Sequence, residues 1–480
     1  MNAARVLLVM PSFQEVYGSY RHLYRRGFLN PPLGLCYLAS ALEQAGHTAR
    51  IIDAEAANLT LAQVVKQARE FAPKLIGLSS TSIDFHQAKA AAQALRQALP
   101  GTPIILGGTH VNIFGQAVLE KNPEFDMICI GDGEDLLPEV IQTLSGSRDG
   151  DLAQVKGLIW RRGEALVVNE TRPIETNIDR YPFPARWLLD NSQYYRAVPY
   201  SGYQQTAAFM SSRGCPFKCI YCAVKNIHGG EKVRLRSAEN VLDELEHIVK
   251  RFGIRHIAFN DDCLTLKRDR VLTICEGIRR KNLKITWEGL SRADLVDREL
   301  LKIMKDAGFV RLSIGIESGN QAILDVIRKQ ETLEQIESAV NLAHEVGIVT
   351  RGSVILGNPY ENSDTVKDTF RFINHLKGLD QVVINILQPY PGTVVRDMML
   401  RGEGGSSFQE HLVGDAKLQR FGSANVTVND LTPEKLVKLQ RKGFLRFYLR
   451  PVTLLNNLRI SGVRTFISDG FGFMRSILGV

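Results

Sequence analysis

The chain has 480 residues, 44% of them hydrophobic and 23% charged, and a formal net charge of +8. These proportions exclude a disordered or fibrous chain, and the absence of a run of about 18 uncharged apolar residues predicts no membrane span. The length allows about two to four domains, and the positive surplus points either to an anionic partner or only to solubility.

Residues 1–145 alternate short apolar runs (Arg5–Met10, Thr48–Asp53, Leu75–Ser79, Pro103–Leu106, Met127–Ile130) with amphipathic stretches such as Leu35–Ala45, Leu61–Phe71 and Phe85–Leu99. Near-continuous apolar strands separated by helices predict a doubly wound parallel sheet covered on both faces. Its ligand is expected beyond the carboxyl ends of the strands. Small or polar residues stand there: Ser80 in Ser79–Ser82, Gly107 and Gly108, then Gly131, Gly133 and Glu134. Such residues let a large flat ligand approach the backbone.

The alternation lapses over residues 146–200, read as a linker. Gly146–Gly150 is polar, and Leu158–Arg161 and Leu166–Val168 flank Arg162-Gly163-Glu164 as a β-hairpin. A second βα alternation fills residues 201–400. Its strands are expected at Ala207–Ser211, His256–Phe259, Lys284–Glu288, Arg311–Gly315, Gly352–Leu356 and Val382–Ile386. Six such units predict a partial (β/α)6 barrel, whose site belongs at the carboxyl ends of the strands. Residues 401–480 are expected to be a small, basic, helical region. Gly402–Ser407 is read as a flexible joint, and Pro433–Leu449 as a helix stopped by Pro451.

Cys215, Cys219 and Cys222 follow the first barrel strand in a Cys-x3-Cys-x2-Cys loop. Three thiolates this close can hold three irons of a four-iron cluster and leave the fourth open to a small molecule. A zinc loop with His228 as fourth ligand is the alternative. Cys36, Cys129, Cys263 and Cys275 stand singly and read as small buried hydrophobes. The opening Met-Asn-Ala-Ala-Arg lacks an apolar secretory stretch, so reduced thiols and a cytoplasmic location are expected.

The loop, with Tyr221 before its last cysteine, resembles that of the radical S-adenosylmethionine (radical SAM) enzymes. The resemblance implies a 4Fe-4S cluster whose open iron chelates S-adenosylmethionine and cleaves it to a 5′-deoxyadenosyl radical. It implies that Asp261 and Asp262 receive the cluster-bound amino group, Arg292 and Lys329 the methionine carboxylate, Glu317 the ribose, and Ile355 with Leu356 and Gly357 the adenine. Asn30-Pro31-Pro32-Leu33-Gly34-Leu35, Gly107-Gly108, Gly131-Asp132-Gly133-Glu134 and Pro389-Tyr390-Pro391-Gly392-Thr393 are similar to the cobalamin-binding branch of these enzymes. That branch implies cobalamin on the first domain. The Asp-x-His-x-x-Gly motif that supplies a lower histidine ligand does not occur here, so the lower face is expected without one.

The activity implied is a cobalamin-dependent C-methyltransferase acting on an unactivated carbon, with an oxidative cyclase or ring-rearranging enzyme as the alternative. A methylthiotransferase would need a second cysteine triad. A non-enzymatic iron–sulfur module would not need Asp261, Asp262 or Glu317. The partners expected are a small-molecule or lipid-like substrate and an external one-electron donor of flavodoxin or ferredoxin type, with no nucleic acid. Lys435, Lys438, Arg441, Lys442, Arg446 and Arg450 alternate with Leu436, Leu439, Phe444, Leu445, Phe447 and Leu449. The pattern fits either peripheral contact with anionic lipid or a helix packed on the barrel with a solvated face.

Overall fold

The computed structural model describes residues 3–12, 29–146, 151–409 and 422–478. Beyond Gly146, the expected polar linker lies outside them. Contacts divide the chain into two units. One comprises Asn30–Gln193 with Met1–Val16 and Lys225–Gly230, the other Tyr194–Val224 and Glu231–Val480 with Tyr17–Leu29.

The first unit is a seven-stranded sheet in the order β2-β1-β3-β4-β5-β6-β7. β1 (Arg5–Met10), β2 (Thr48–Asp53), β3 (Leu75–Ser79), β4 (Ile104–Gly107) and β5 (Met127–Cys129) are parallel. Their apolar runs serve two cores. Val6, Leu8, Leu75 and Ile105 pack on one face, and Leu7, Val9, Ile76 and Leu106 on the other, as a sheet covered on both sides requires. Thr60 starts the helix Leu61–Phe71 in a capping box with Gln63. The predicted hairpin forms as β6 (Leu158–Arg162) and β7 (Ala165–Val168). It extends this sheet, because β6 pairs antiparallel with β5.

The second unit holds the curled sheet β16-β15-β14-β13-β12-β9-β8. β8 (Tyr195–Val198) is an antiparallel flank to β9 (Gly202–Phe209). From β9 through β12 (His256–Phe259), β13 (Thr286–Ser291), β14 (Phe309–Glu317), β15 (Val349–Leu356) and β16 (Gln381–Ile386) the strands are parallel. These are the six βα units expected. The first strand ends at Phe209, before Ser211, because the Ser211 N–H turns away to Asp261. A two-strand ladder of β10 (Ser212–Arg213) and β11 (Arg234–Leu235) brackets the cysteine loop at its base.

Two bulges re-aim β14. Between Trp287 and Glu288 of its partner, the register advances by one extra β14 residue, so Phe309 faces the helices and Arg311 the interior. Between Gly315 and Glu317 it advances again.

The edge strand β16 is covered by the helix Pro433–Tyr448. Leu436, Phe444 and Phe447 are buried, Gln440 Nε2 donates to Ile384 O at 2.7 Å, and Tyr448 Oη bonds Val382 N and O. These polar side chains satisfy an edge that would otherwise be open for pairing. The helix packs on the barrel, and Lys438, Arg441, Lys442, Leu445, Arg446 and Leu449 border a shallow outer surface. The helix ends at Tyr448, ahead of Pro451, and Pro451 begins a further helical stretch, Pro451–Leu478, broken by non-helical backbone at Gly462. The expected joint is partly strand: β17 (Ser406–Phe408) pairs with β18 (Val426–Val428). Among the described residues no helix is long and apolar enough to cross a membrane.

Candidate active site in the barrel and candidate corrinoid surface

The cysteine loop is held from below by the acidic turn after β12. Asp261 is buried, and its Oδ1 accepts the Ser211 N–H at 3.0 Å, the Ser211 hydroxyl at 2.9 Å and the Ser212 hydroxyl. Burial pushes its pKa up, partly offset by those donors and Arg270. Asp262 Oδ2 accepts the Gly214 N–H at 3.0 Å. Both carboxylates therefore grip residues 211–214, immediately before Cys215. In this geometry they position the loop.

The three thiols are partly exposed and unbridged. The Phe217 N–H donates to Cys215 and the Val224 N–H to Cys222. Burial pushes Cys222 up to about 11, and the neighbouring Cys219 and Cys215 add to the shift. Arg292 and Lys329 act in the opposite direction on Cys215 and Cys219, favouring thiolate. Three mutually close sulfurs, N–H donors to two of them and two nearby cations suit an anionic iron–sulfur cluster. No three His, Cys, Asp or Glu among the described residues converge on one ion position.

Arg292 is buried and heavily committed. It forms a fork to Asp294 at 2.9 and 3.0 Å, donates to Lys329 O at 2.8 Å and Gln330 O at 3.1 Å, and lies 3.8 Å over the Phe217 ring. It thereby ties the cysteine loop to the turn after β14, a cation–π contact adding to the hydrogen bonds. One Nη1 hydrogen is left over by these bonds.

Lys329 Nζ stands 3.6 Å from Glu317 and 3.1 Å from Glu331. Burial pulls its pKa down, but Glu317, Glu331 and Cys219 outweigh burial and leave it raised. Glu317 lies at the β14 bulge with φ +61°, and its carboxylate bonds the Tyr221 hydroxyl. Burial pushes Glu317 up, against Lys329 and Tyr221. Its carboxylate folds over Gly315, where a Cβ would collide with Glu317 Oε1 and stand 2.9 Å from Lys329 Nζ. Glu331 Oε1 also accepts the Ala293 N–H at 2.6 Å and the Asp294 N–H at 3.2 Å. The Ile220 N–H reaches Ile327 O at 3.1 Å. Arg292, Glu317 and Lys329 are thus brought together beside the cysteine loop.

Ile355 is partly exposed at the end of β15, and its carbonyl accepts Asn358 Nδ2 at 2.8 Å. Sequence reasoning missed Tyr221 as a partner of Glu317, and also Glu331, Phe217 and Glu361. Buried Glu361 accepts the Gly357 N–H at 2.6 Å and the Asn358 N–H at 3.3 Å, fixing the loop after β15. An acidic residue four places after Gly357 was the available signal.

In the first unit, Ser80 and Gly108 lock the ends of β3 and β4 together. Gly108 has φ +99°, and a Cβ there would lie 2.5 Å from Ser80 O. The Ser80 hydroxyl donates to Asp84 Oδ1 at 3.1 Å. Burial, against the Thr81 and Ser80 donors, leaves the Asp84 carboxyl raised to about 6. The Gly131 N–H donates to Asn112 Oδ1 at 2.9 Å, Gly133 abuts Leu38, and Glu134 is buried. A Cβ on Gly131 would meet nothing within 4 Å, and one on Gly107 only Cys129 Cβ at 3.9 Å. These strand ends therefore leave room for a flat ligand against the backbone, which fits a corrinoid. His110 is stacked 4.0 Å from Phe85, and burial, aided by His86, lowers its pKa to about 4.

Residues 209–373 match the radical SAM superfamily and residues 24–141 the B12 binding domain. The chain is 29% identical to an uncharacterised methyltransferase of Pyrococcus horikoshii, over 100% of this chain and 98% of that protein. It is 28% identical to the anaerobic magnesium-protoporphyrin IX monomethyl ester cyclase of Cereibacter sphaeroides, over 76% of this chain but only 59% of that protein. Its fold resembles the structure of TsrM, a radical S-adenosylmethionine methyltransferase from Kitasatospora setae with cobalamin and a [4Fe-4S] cluster bound. That likeness has a TM-score of 0.72 and 16% identity over 99% of both chains. The two matched domains call for a [4Fe-4S] cluster, S-adenosylmethionine and cobalamin as cofactors, and the donor sets described above suit them. The chain is an enzyme of the radical SAM superfamily, and it belongs to the branch that carries a B12-binding domain ahead of the barrel.

Proposed function

We propose that this enzyme is a cobalamin-dependent methyltransferase acting on an unactivated carbon of a small molecule. When bound, the cluster supplies the electron that cleaves S-adenosylmethionine to a 5′-deoxyadenosyl radical, and cobalamin supplies the methyl group. The chain's own residues do the positioning, which is most of such catalysis. Asp261 and Asp262 fix the base of the cysteine loop, and Arg292 clamps it through Phe217. Glu317, held between Tyr221 and Lys329, offers a carboxylate for ribose hydroxyls; the loop fixed by Glu361, with Ile355, offers the adenine slot. The observation that carries the reading is this assembly around the triad in a chain whose B12-matched sheet has open strand ends.

The match to the Cereibacter cyclase favours a second reading, in which the same radical chemistry oxidises and closes a ring. Anaerobic turnover with reductant, S-adenosylmethionine and methylcobalamin separates the two. Methylation yields S-adenosylhomocysteine and a methylated product, whereas 5′-deoxyadenosine alone rules methyl transfer out. Reduction requires a small external donor of flavodoxin or ferredoxin type, and the setting proposed is the cytoplasm. The basic outer surface of the helix Pro433–Tyr448 is a candidate for anionic lipid. Sedimentation with liposomes tests this, and binding unchanged when Lys438, Arg441, Lys442 and Arg446 of that surface are replaced by glutamine removes the idea.

A further inference from the structure

Exposed apolar side chains of the barrel unit gather at one corner. Among the described residues, the four most exposed large apolar or aromatic side chains are Val463, Tyr200, Leu449 and Leu455, from 62% for Val463 to 57% for Leu455. All four lie within residues 449–463 or against them, since the Tyr200 N–H donates to Ile460 O at 2.8 Å. Apolar residues exposed singly are ordinary, whereas a cluster of them marks a contact surface.

The helix that begins at Pro451 turns its polar side toward the barrel. Thr453 and Ile460 are buried, and Asn456 and Asn457 are tied to Asp380, Nδ2 to Oδ1 at 3.1 Å and Nδ2 to O at 3.0 Å. Leu454, Leu455 and the half-buried Leu458, at i, i+1 and i+4, stand on the opposite side with Arg459. The corner where one helix passes into the next is pinned, because Arg450 Nη1 donates to Ile373 O at 3.1 Å and Asn374 O at 2.8 Å. The leucines are therefore held outward by the fold.

Charge runs alongside them. From Lys435 to Ser468 the chain has eight Lys and Arg and no Asp or Glu, a surplus equal to the +8 of the whole chain. Lys438, Arg441, Lys442 and Arg446 share the shallow outer surface with Leu445 and Leu449, and Leu449 leads into the leucines of the next helix. Leucines bordered by cations, with a tyrosine at the margin, match a surface that lies in the headgroup region of an anionic bilayer. A protein partner matches less well, because lysine is depleted at protein interfaces. A second copy of this chain would bring the same cations against these.

We propose that this corner docks on an anionic lipid bilayer by inserting Leu449, Leu454 and Leu455 between the headgroups. This rests on the reading of the basic helix as lipid-facing and deepens it, since the attachment is apolar as well as electrostatic.

The test is sedimentation of the anaerobically reconstituted holoenzyme with vesicles of phosphatidylcholine and phosphatidylglycerol, and with vesicles of phosphatidylcholine alone. Wild type is compared with Leu454→Gln/Leu455→Gln, with Leu449→Gln on the preceding helix as an independent variant, and with the protein in which Lys438, Arg441, Lys442 and Arg446 are glutamine. Wild type should bind the anionic vesicles about tenfold or more tightly than the neutral ones. The double leucine variant should lose about tenfold or more of that affinity, and Leu449→Gln about threefold or more. No binding of wild type to anionic vesicles overturns the proposal. Binding that both leucine variants keep in full leaves adsorption by charge alone and overturns this inference while the reading of the basic helix stands. Binding kept in full by the glutamine-for-cation protein overturns the reading on which it rests. Self-association of the holoenzyme, or binding of a flavodoxin, that is lost in the leucine variants without lipid assigns the surface to a protein and also overturns it.

Discussion

Replacing Glu361 by glutamine is expected to abolish a pH dependence of the barrel's stability. Glu361 is 0% exposed; Oε2 accepts two backbone N–H groups, and buried Oε1 has no hydrogen-bond partner among the described residues. Burial raises its pKa from 4.5 to about 8, against the Gly357 and Asn358 donors. Between those values the folded chain keeps a proton that the unfolded chain has lost, so stability is full below pH 4.5 and falls as pH rises toward 8. At about 1.4 kcal/mol per unit, the span gives on the order of 5 kcal/mol. Glutamine keeps an acceptor for Gly357 and Asn358 but cannot ionise. Denaturation midpoints measured at pH 5.5, 7 and 8.5 should fall steeply for wild type and stay nearly level for Glu361→Gln. The variant should be the more stable protein at pH 8.5. Equal slopes for the two proteins would refute the reasoning.

Gly315→Ala should push the Glu317 carboxylate, which the new Cβ would collide with, away from Tyr221 and Lys329. Losing one or two charge-assisted bonds, about 1.5–3 kcal/mol each, should weaken S-adenosylmethionine binding by about tenfold or more. Iron loading should be unchanged. The assay is the perturbation of the reduced cluster's electron paramagnetic resonance spectrum by added S-adenosylmethionine, and a wild-type titration curve would contradict the assignment. Asp262→Ala removes the acceptor of the Gly214 N–H, at about 1–3 kcal/mol. It should lower iron retained after a chelator challenge, while Asp262→Asn retains it; full retention by the alanine variant would contradict a positioning role.

Much of this architecture is legible in the chain because it depends on local periodicity. Apolar runs such as Ile76–Leu78 mark strands buried on both faces, and the cysteine spacing marks the cluster loop. The basic helix was legible as amphipathic, but not that Gln440 and Tyr448 would cap the edge of β16, a contact about sixty residues away in sequence. Asp261 and Asp262 were found as residues, yet their hydrogen bonds go to Ser211, Ser212 and Gly214, which only the return of β12 beside β9 brings near. Arg292 was singled out for a ligand, and the fold commits most of its donors to Asp294 and two carbonyls. Glu317 depends on a bulge and a left-handed backbone angle, and no hydrophobic pattern encodes either. The ion pairs of Glu288 with Arg196 and Arg311 are likewise assembled from three separated strands, and each member alone reads as an ordinary surface charge.

The most direct measurement is release of 5′-deoxyadenosine from S-adenosylmethionine by the anaerobically reconstituted, reduced enzyme, with Cys215, Cys219 and Cys222 replaced by alanine one at a time. Wild type should release the nucleoside, and each replacement should bring both iron loading and release to background. Undiminished release from any of the three variants would contradict the assignment of the triad as the holder of the cluster.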